Sequence, residues 1–271
     1  MCIVYAVANQ KGGCSKTSVT VNLGVGLAME GKKVLVIDAD PQGSLTISLG
    51  FPDPDEIPLP LATVMTDIIN ENDFDEEYGL LHHQEGIDLL PANMDLSGIE
   101  VSLANAMSRE MILKEYIEMV RDRYDFILID CMPSLGVMTI NALVAADRVL
   151  IPVQSSYLPV KGLQMLLKTI SVVKKRLNKQ LEIEGILITM VDYRTNYAKD
   201  ITVMLRESYG MNDEIGVLQT FIPFSVKIQE ASSEGISILL ASGENSHSES
   251  ARNSQSQSVE KNQCASFLLP D

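Results

Sequence analysis

Short blocks dominated by apolar residues recur along the chain, at Ile3–Ala8, Lys33–Asp38, Ile87–Pro91, Asp125–Asp130, Arg148–Pro152 and Ile183–Met190. Several are continuous rather than alternating, the pattern of parallel strands buried on both faces. Between them lie stretches that predict helices: Thr17–Glu30, Leu61–Asn70, Ser97–Ala106, Arg109–Arg123, Gly136–Ala145, Leu158–Leu177 and Asn196–Tyr209. Strand and helix in turn predict an α/β fold, a doubly wound, mostly parallel sheet with helices on both faces. One segment conflicts with its own pattern. In Thr17–Glu30 the apolar residues Val19, Val21, Leu23, Val25 and Leu27 fall at strand period, and only the loop before it argues for helix.

From Ser242 onward the periodicity stops, and eight of the last thirty residues are serine. The expected division is a folded domain over residues 1–241 and a Ser-rich, flexible tail over 242–271. A length of 271 residues suits one large domain that needs no disulfide or metal brace. The hydrophobic share of 46% excludes a wholly disordered chain. No apolar run approaches the length of a membrane span, and the opening reads as a strand rather than a secretory leader. Cys2, Cys14, Cys131 and Cys264 form no C-x-x-C pair and are expected to be free thiols of a cytoplasmic protein.

Charge changes the picture in two places. Residues 51–100 hold thirteen acids and no Lys or Arg, which accounts for nearly all of the net charge of −15. Residues 161–210 run the other way, with Lys161, Lys168, Lys174, Lys175, Arg176, Lys179, Arg194, Lys199 and Arg206 against five acids. This segment is either a basic face on an acidic protein or a solvated helix surface.

The chemistry concentrates in Asn9-Gln10-Lys11-Gly12-Gly13-Cys14-Ser15-Lys16-Thr17-Ser18, between the first strand and the first helix. That is the context of a phosphate loop: glycines let backbone N–H groups face phosphate oxygens, and the helix N-terminus adds partial positive charge. Lys16 can reach β- and γ-phosphates, and the Thr17 hydroxyl can ligate Mg2+. The strict G-x-x-x-x-G-K-[ST] pattern fails at Gln10 and Ser15, so a glycine turn of another kind stays open at this point. Two further segments point the same way. Asp38-Ala39-Asp40 ends the second strand, and Ile127–Asp130 is an apolar run closed by an acid, the form that holds a Mg2+ shell.

KGG-x-x-KT, DADPQGSLT and ILIDCMPSLGVMTINALVAADRVLIPVQ together resemble the ParA/MinD group of deviant Walker A P-loop ATPases, and within it the ParA (Soj-type) partition ATPases. LEIEGILITMVDYRTN, and Ile222-Pro223 followed by Val226–Ala231, agree, so the resemblance covers about residues 1–240. It implies ATP and Mg2+ as cofactors. It also implies an ATP-dependent homodimer, a ParB-type partner protein and a role in partitioning plasmid, chromosomal or mobile-element DNA. By resemblance, Lys11 is the signature lysine that reaches the partner's nucleotide. Gly12, Gly13, Cys14, Ser15, Lys16, Thr17 and Ser18 form the phosphate cradle. Asp40 orients the attacking water, which makes Lys11, Lys16 and Asp40 the catalytic set. Thr17, Asp38 and Asp130 serve the metal, and Met190 and Pro223 flank the adenine. Arg194 matches a position linked to non-specific DNA binding, so nucleoid association is implied if DNA is bound. A membrane partner is not expected, because the tail offers only Arg252 and Lys261 as cations.

The chain departs from the family at Ser15, where the family has glycine. If that position needs a positive φ, serine costs about 1–3 kcal/mol and weakens nucleotide binding. The alternative function is therefore a nucleotide-binding regulatory protein with weak or absent hydrolysis. Phe224 and Lys227 stand where the family usually carries arginines, and Cys14 is expected to be partly exposed in the loop.

Overall fold

The computed structural model describes residues 2–103, 106–155, 159–192, 194–210 and 214–244. Among them eight strands form one sheet: β1 (Ile3–Val7), β2 (Val34–Ala39), β3 (Leu81–His82), β4 (Asp88–Leu90), β5 (Phe126–Cys131), β6 (Arg148–Gln154), β7 (Glu182–Val191) and β8 (Val217–Pro223). Their spatial order is β3-β4-β2-β5-β1-β6-β7-β8. Only β3 pairs antiparallel, with β4. The continuous apolar runs divide residue by residue between two cores. Val4, Ala6, Leu35 and Ile37 enter one, while Tyr5, Val7, Val34 and Val36 enter the other. A strand's side chains alternate between faces, so a strand covered on both sides is apolar along most of its length.

The first face carries α3 (Leu61–Ile69), α4 (Leu96–Leu103), α5 (Ile112–Val120), α6 (Val137–Ala145), α7 (Pro159–Arg176) and α8 (Asn196–Tyr209). The second is covered by α1 (Lys16–Met29), α2 (Ser44–Ser48) and α10 (Ile238–Glu244), with α9 (Val226–Ser233) beside α10 and α2. The strand-like alternation in α1 now has a cause. Every residue from Val19 to Leu27 is buried, because the sheet lies on one side and α2 and α10 on the other. A helix enclosed in this way has no polar stripe to reveal its period. Gly24 sets its closeness to the sheet: a Cβ there would sit 3.0 Å from Val36 Cγ1.

The expected strands and helices are present with shifted ends, some shorter and some, such as β6 and β7, longer than expected. Arg109–Arg123 is α-helical only as α5, closed by a 3-10 turn at Arg121–Arg123. The expected helix Ser97–Ala106 is seen as α4, and residues 104, 105 and Leu158 lie outside the described residues. Five elements were not foreseen as such: α2, β3, β8, α9 and α10. The first two are five and two residues long, too short for a period. β8 is a half-buried edge strand whose polar Gln219 and Thr220 break the apolar run. α10 carries helix across the boundary expected at 241, with Leu239 buried in the second core. Residues 245–271, most of the expected tail, and Cys264 lie outside the described residues.

This topology selects one edge for chemistry. The crossover from β1 runs past β5 to β2, whereas the crossover from β5 runs past β1 to β6, and these opposite directions open a crevice at the carboxyl ends of β1 and β5. The loop before α1 lies there. In the same place β2 and β5 pair in register so that Asp38 stands opposite Asp130.

Candidate functional site

The loop is pinned from beneath. Asn9 Nδ2 donates to the Pro152 carbonyl at 2.6 Å, and Asn9 Oδ1 accepts from the Lys11 amide at 3.0 Å. Thr189 Oγ1 donates to the Cys14 carbonyl at 3.1 Å. The Cys14 thiol turns inward to the Lys11 carbonyl at 3.2 Å and is only 1% exposed. The expectation of a partly exposed Cys14 is therefore corrected: the side chain is an anchor beneath the loop, and burial raises its pKa. Gly12 and Gly13 are exposed, with Gly13 at φ +70°. Ser15 is the N-cap of α1 at φ 68°, ψ 24°, and its side chain makes no capping hydrogen bond. The position does require the left-handed region, which is the condition under which serine is strained.

Lys16 is buried, with Nζ 3.4 Å from the Lys11 carbonyl. Thr17 Oγ1 donates to Asp130 Oδ2 at 2.6 Å, while the buried Asp130 Oδ1 has no hydrogen-bond partner. Burial pushes the Asp130 carboxyl up to about 8, with the neighbouring Asp38 adding to the rise. Asp38 is fully buried as well, and accepts from the Thr46 amide at 2.9 Å, Thr46 Oγ1 at 2.8 Å and the Asp40 amide at 3.2 Å. Burial nevertheless pushes it up to about 7. Asp40 is half-buried at the end of the same turn, where Oδ1 accepts from the Gln42 amide. Lys11 Nζ lies 3.4 Å from Gln154 Oε1 at the end of β6.

The arrangement fits a triphosphate and its cation. An ammonium and a helix N-terminus converge on the loop, and the Thr17 hydroxyl stands beside a buried carboxylate with one oxygen unused. Among the described residues no cluster of three or more His, Cys, Asp or Glu could hold a metal by itself. A Mg2+ here would draw most of its oxygens from phosphate and water, as it does in such sites.

Beside the loop lies a pocket lined by Ser15, Ser18, Met190, Pro223 and neighbours from β8 and α9. The structure thus brings Met190 and Pro223, 33 positions apart in the chain, to one cavity next to the loop. Met190 is at φ 53°, with its carbonyl held by Ser155 Oγ at 3.0 Å. Thr46, Thr189, Asn9 and Gln154 lie within the quoted segments but were missed as supporting residues, because their partners Asp38, Cys14, Pro152 and Lys11 are met only through the fold.

The basic segment separates. α7 has 18 residues and spans about 27 Å. Its last-turn Lys174, Lys175 and Arg176 therefore lie at the sheet end away from the loop, and exposed Lys179 follows them. Arg194 stands just past the carboxyl end of β7, on the loop's side. The Lys161 side chain lies outside the described residues. Residues 161–210 are thus not one basic face. Arg194 is exposed and doubly bonded to Asp192, Nε to Oδ1 and Nη2 to Oδ2, each at 2.8 Å. This pairing drops Asp192 to about 2.

Fold and loop define a P-loop NTPase. The chain belongs to the Soj/ParA family within the AAA domain class AAA_31, whose family model matches residues 2–183. It is 42% identical over 237 residues to the sporulation initiation inhibitor protein Soj of Bacillus subtilis, covering 88% of this chain and 90% of that one. It is 37% identical over 239 residues to the chromosome partitioning protein ParA of Caulobacter vibrioides, covering 88% and 86%. Among solved structures it is similar to a cobyrinic acid a,c-diamide synthase from Mycobacterium smegmatis with a bound ATP analog and magnesium. That likeness has TM-score 0.77 and 36% identity, and covers 91% of this chain and 97% of that one. Among the described residues no helix is long and apolar enough to cross a membrane.

Proposed function

We propose that this chain is a partition ATPase that binds ATP with Mg2+ at the β1–α1 loop and uses it to form a homodimer. The observation that carries the reading is the group formed by Lys16, Thr17 and Asp130, with an unpartnered carboxylate oxygen at the mouth of a pinned glycine loop. Loop amides and Lys16 hold the phosphates, while Met190 and Pro223 border the base. Thr17 would hold the cation, with Asp130 and, behind it, Asp38 serving its shell. When bound, Mg2+ neutralises charge developing across the β- and γ-phosphates. Asp40, half-buried at the end of the β2 turn, positions the water that attacks the γ-phosphate. Lys11 serves the nucleotide of the partner subunit.

A ParB-type protein and non-specific DNA complete the assignment, with Arg194 and the exposed lysines as phosphate contacts. Cytoplasmic location, with nucleoid association when DNA is bound, follows from the same reading. The mycobacterial protein carries the name of a different activity, so what it lends is the nucleotide and magnesium alone. Ser15 at φ 68° favours a second reading, a nucleotide-binding regulator with slow or absent hydrolysis.

Equilibrium binding of labelled ATP with Mg2+, beside Lys16→Ala, tests the site. Binding is expected in the parent and is lost in the variant. Equal binding by both overturns the assignment. Turnover then separates the two readings: phosphate release that stops in Asp40→Ala marks the ATPase, and binding without release marks the regulator.

A further inference from the structure

The pocket beside the loop has a wall that the family pattern does not supply. Phe224 follows Pro223 at the end of β8, and its amide donates to the Val191 carbonyl at 3.1 Å. The residue is half exposed and lines the pocket with Met190, Ile222, Pro223 and Ile228. Of the polar side chains that line the pocket, Asn22 is committed elsewhere. Asn22 Nδ2 donates to the Ser18 carbonyl at 2.8 Å, and Asn22 Oδ1 accepts from the Ile238 amide at 2.9 Å. The Met190 and Val191 carbonyls accept from Ser155 Oγ and the Phe224 amide. With Met190, Ile222, Pro223, Phe224, Ile228 and Ile238 in its lining, the pocket offers more apolar surface than hydrogen-bonding edges.

We propose that Phe224 is a base-stacking residue, its ring packing on the purine of the nucleotide whose phosphates occupy the loop. This rests on the nucleotide reading above. A ligand seated with its phosphates at Gly12–Thr17 has its other end beside Ser15 and Ser18, the loop-side lining of this pocket. An aromatic ring gives a base a face to stack on without reading its edge, and such a contact is worth about tenfold in affinity or more. At a position where the resemblance leads one to expect arginine, this chain exchanges a cation for stacking surface. That gain in nucleotide affinity opposes the strain at Ser15.

The sequence has no tryptophan, so Phe224→Trp places a single reporter in the pocket. Binding of MgATP is compared with binding of inorganic tripolyphosphate, which has phosphates and no base. Phe224→Ala is expected to weaken MgATP about tenfold and leave tripolyphosphate unchanged. Phe224→Trp is expected to keep MgATP affinity and change its emission with MgATP, not with tripolyphosphate. MgATP binding unaltered in Phe224→Ala, or emission unmoved at saturating MgATP, overturns the inference while tripolyphosphate binding keeps the loop assignment intact. Loss of both ligands in Phe224→Ala overturns it too, as general damage rather than lost stacking. Failure of the parent chain to bind either ligand sinks the nucleotide reading itself.

Discussion

Two strand–turn–helix units stand near one another at the ligand edge, and their backbones turn alike. The residue before α1 is Ser15 at φ 68°, ψ 24°, and the residue before α2 is Gly43 at φ 60°, ψ 27°. The β2 unit is complete within itself. Its left-handed residue is glycine, and its buried Asp38 is bonded to Thr46 and to the Asp40 amide. Thr46 Oγ1 in turn accepts from the Ala92 amide at 3.1 Å. The β1 unit is not complete. Its left-handed residue is serine, its lysine has a 3.4 Å contact, and the carboxylate facing it keeps one oxygen without a partner. The same local geometry thus serves structure in one unit and leaves open valences in the other, and open valences at a sheet's carboxyl edge are what a ligand fills.

The largest effect is expected from making the complete unit resemble the open one. A Cβ at Gly43 would meet the Ala92 carbonyl oxygen and Pro54 Cγ, each at 3.0 Å. Ser15 instead borders the pocket, where its side chain has room. Gly43→Ser is therefore expected to cost about 2–4 kcal/mol, backbone strain added to crowding. Urea unfolding measures it, and a loss no larger than a surface substitution's would erase the distinction between the turns.

The paired carboxylates supply the next effect. Asp38 and Asp130 hold their protons up to about 7 and about 8 in the folded chain, against about 4 when unfolded. Between these limits the folded chain binds more protons than the unfolded chain, so this pair's contribution to stability falls as pH rises. Asp130→Asn removes the group with the higher value. Between about pH 5 and pH 8 the variant is expected to lose less stability than the parent, by on the order of 2 kcal/mol. Identical slopes in the two proteins would show that the pair ionises freely.

A smaller gain should come from finishing the open turn. Ser15→Gly removes side-chain strain but adds unfolded-state freedom, for a net stabilisation of about 1 kcal/mol. ATP affinity or turnover is expected to rise as well, by up to about tenfold. An unfolding midpoint and a binding constant both equal to the parent's would show that serine is harmless there.

Much of this edge was legible in the sequence, and the reasons differ by residue. Lys16, Thr17 and Asp130 were readable because phosphate chemistry fixes their types and spacing on a strand–loop–helix frame. The left-handed requirement at Ser15 was readable as a condition, and only backbone dihedrals could meet it. Thr46 was not readable, because it reaches Asp38 through a helix of five residues that leaves no period. The inward turn of Cys14 was missed because burial beneath a loop depends on β6 and β7, strands far along the chain. The basic segment misled for a related reason: a long helix puts neighbouring cations at opposite ends of the sheet.

The weakest effect belongs to a third turn at this edge, after β7, where a charge is satisfied within its own loop. Arg194 is pinned by Asp192 in a surface pair whose guanidinium is exposed, so the bond itself is worth little. Its consequence for a polyanion is still measurable. The acid must be displaced for the guanidinium to reach a phosphate, and its own charge repels the backbone. Asp192→Asn is expected to tighten ATP-dependent, sequence-independent duplex binding about two- to fivefold at low salt, with the gain shrinking as salt is raised. Anisotropy of a labelled duplex measures this, with Arg194→Ala as the reference for losing the cation. If Asp192→Asn binds as the parent does while Arg194→Ala weakens binding, the pair opens without cost and this turn belongs with the open unit at β1. If neither variant moves the affinity, Arg194 does not contact DNA, and the exposed lysines of α7 and α8 become the surface to test.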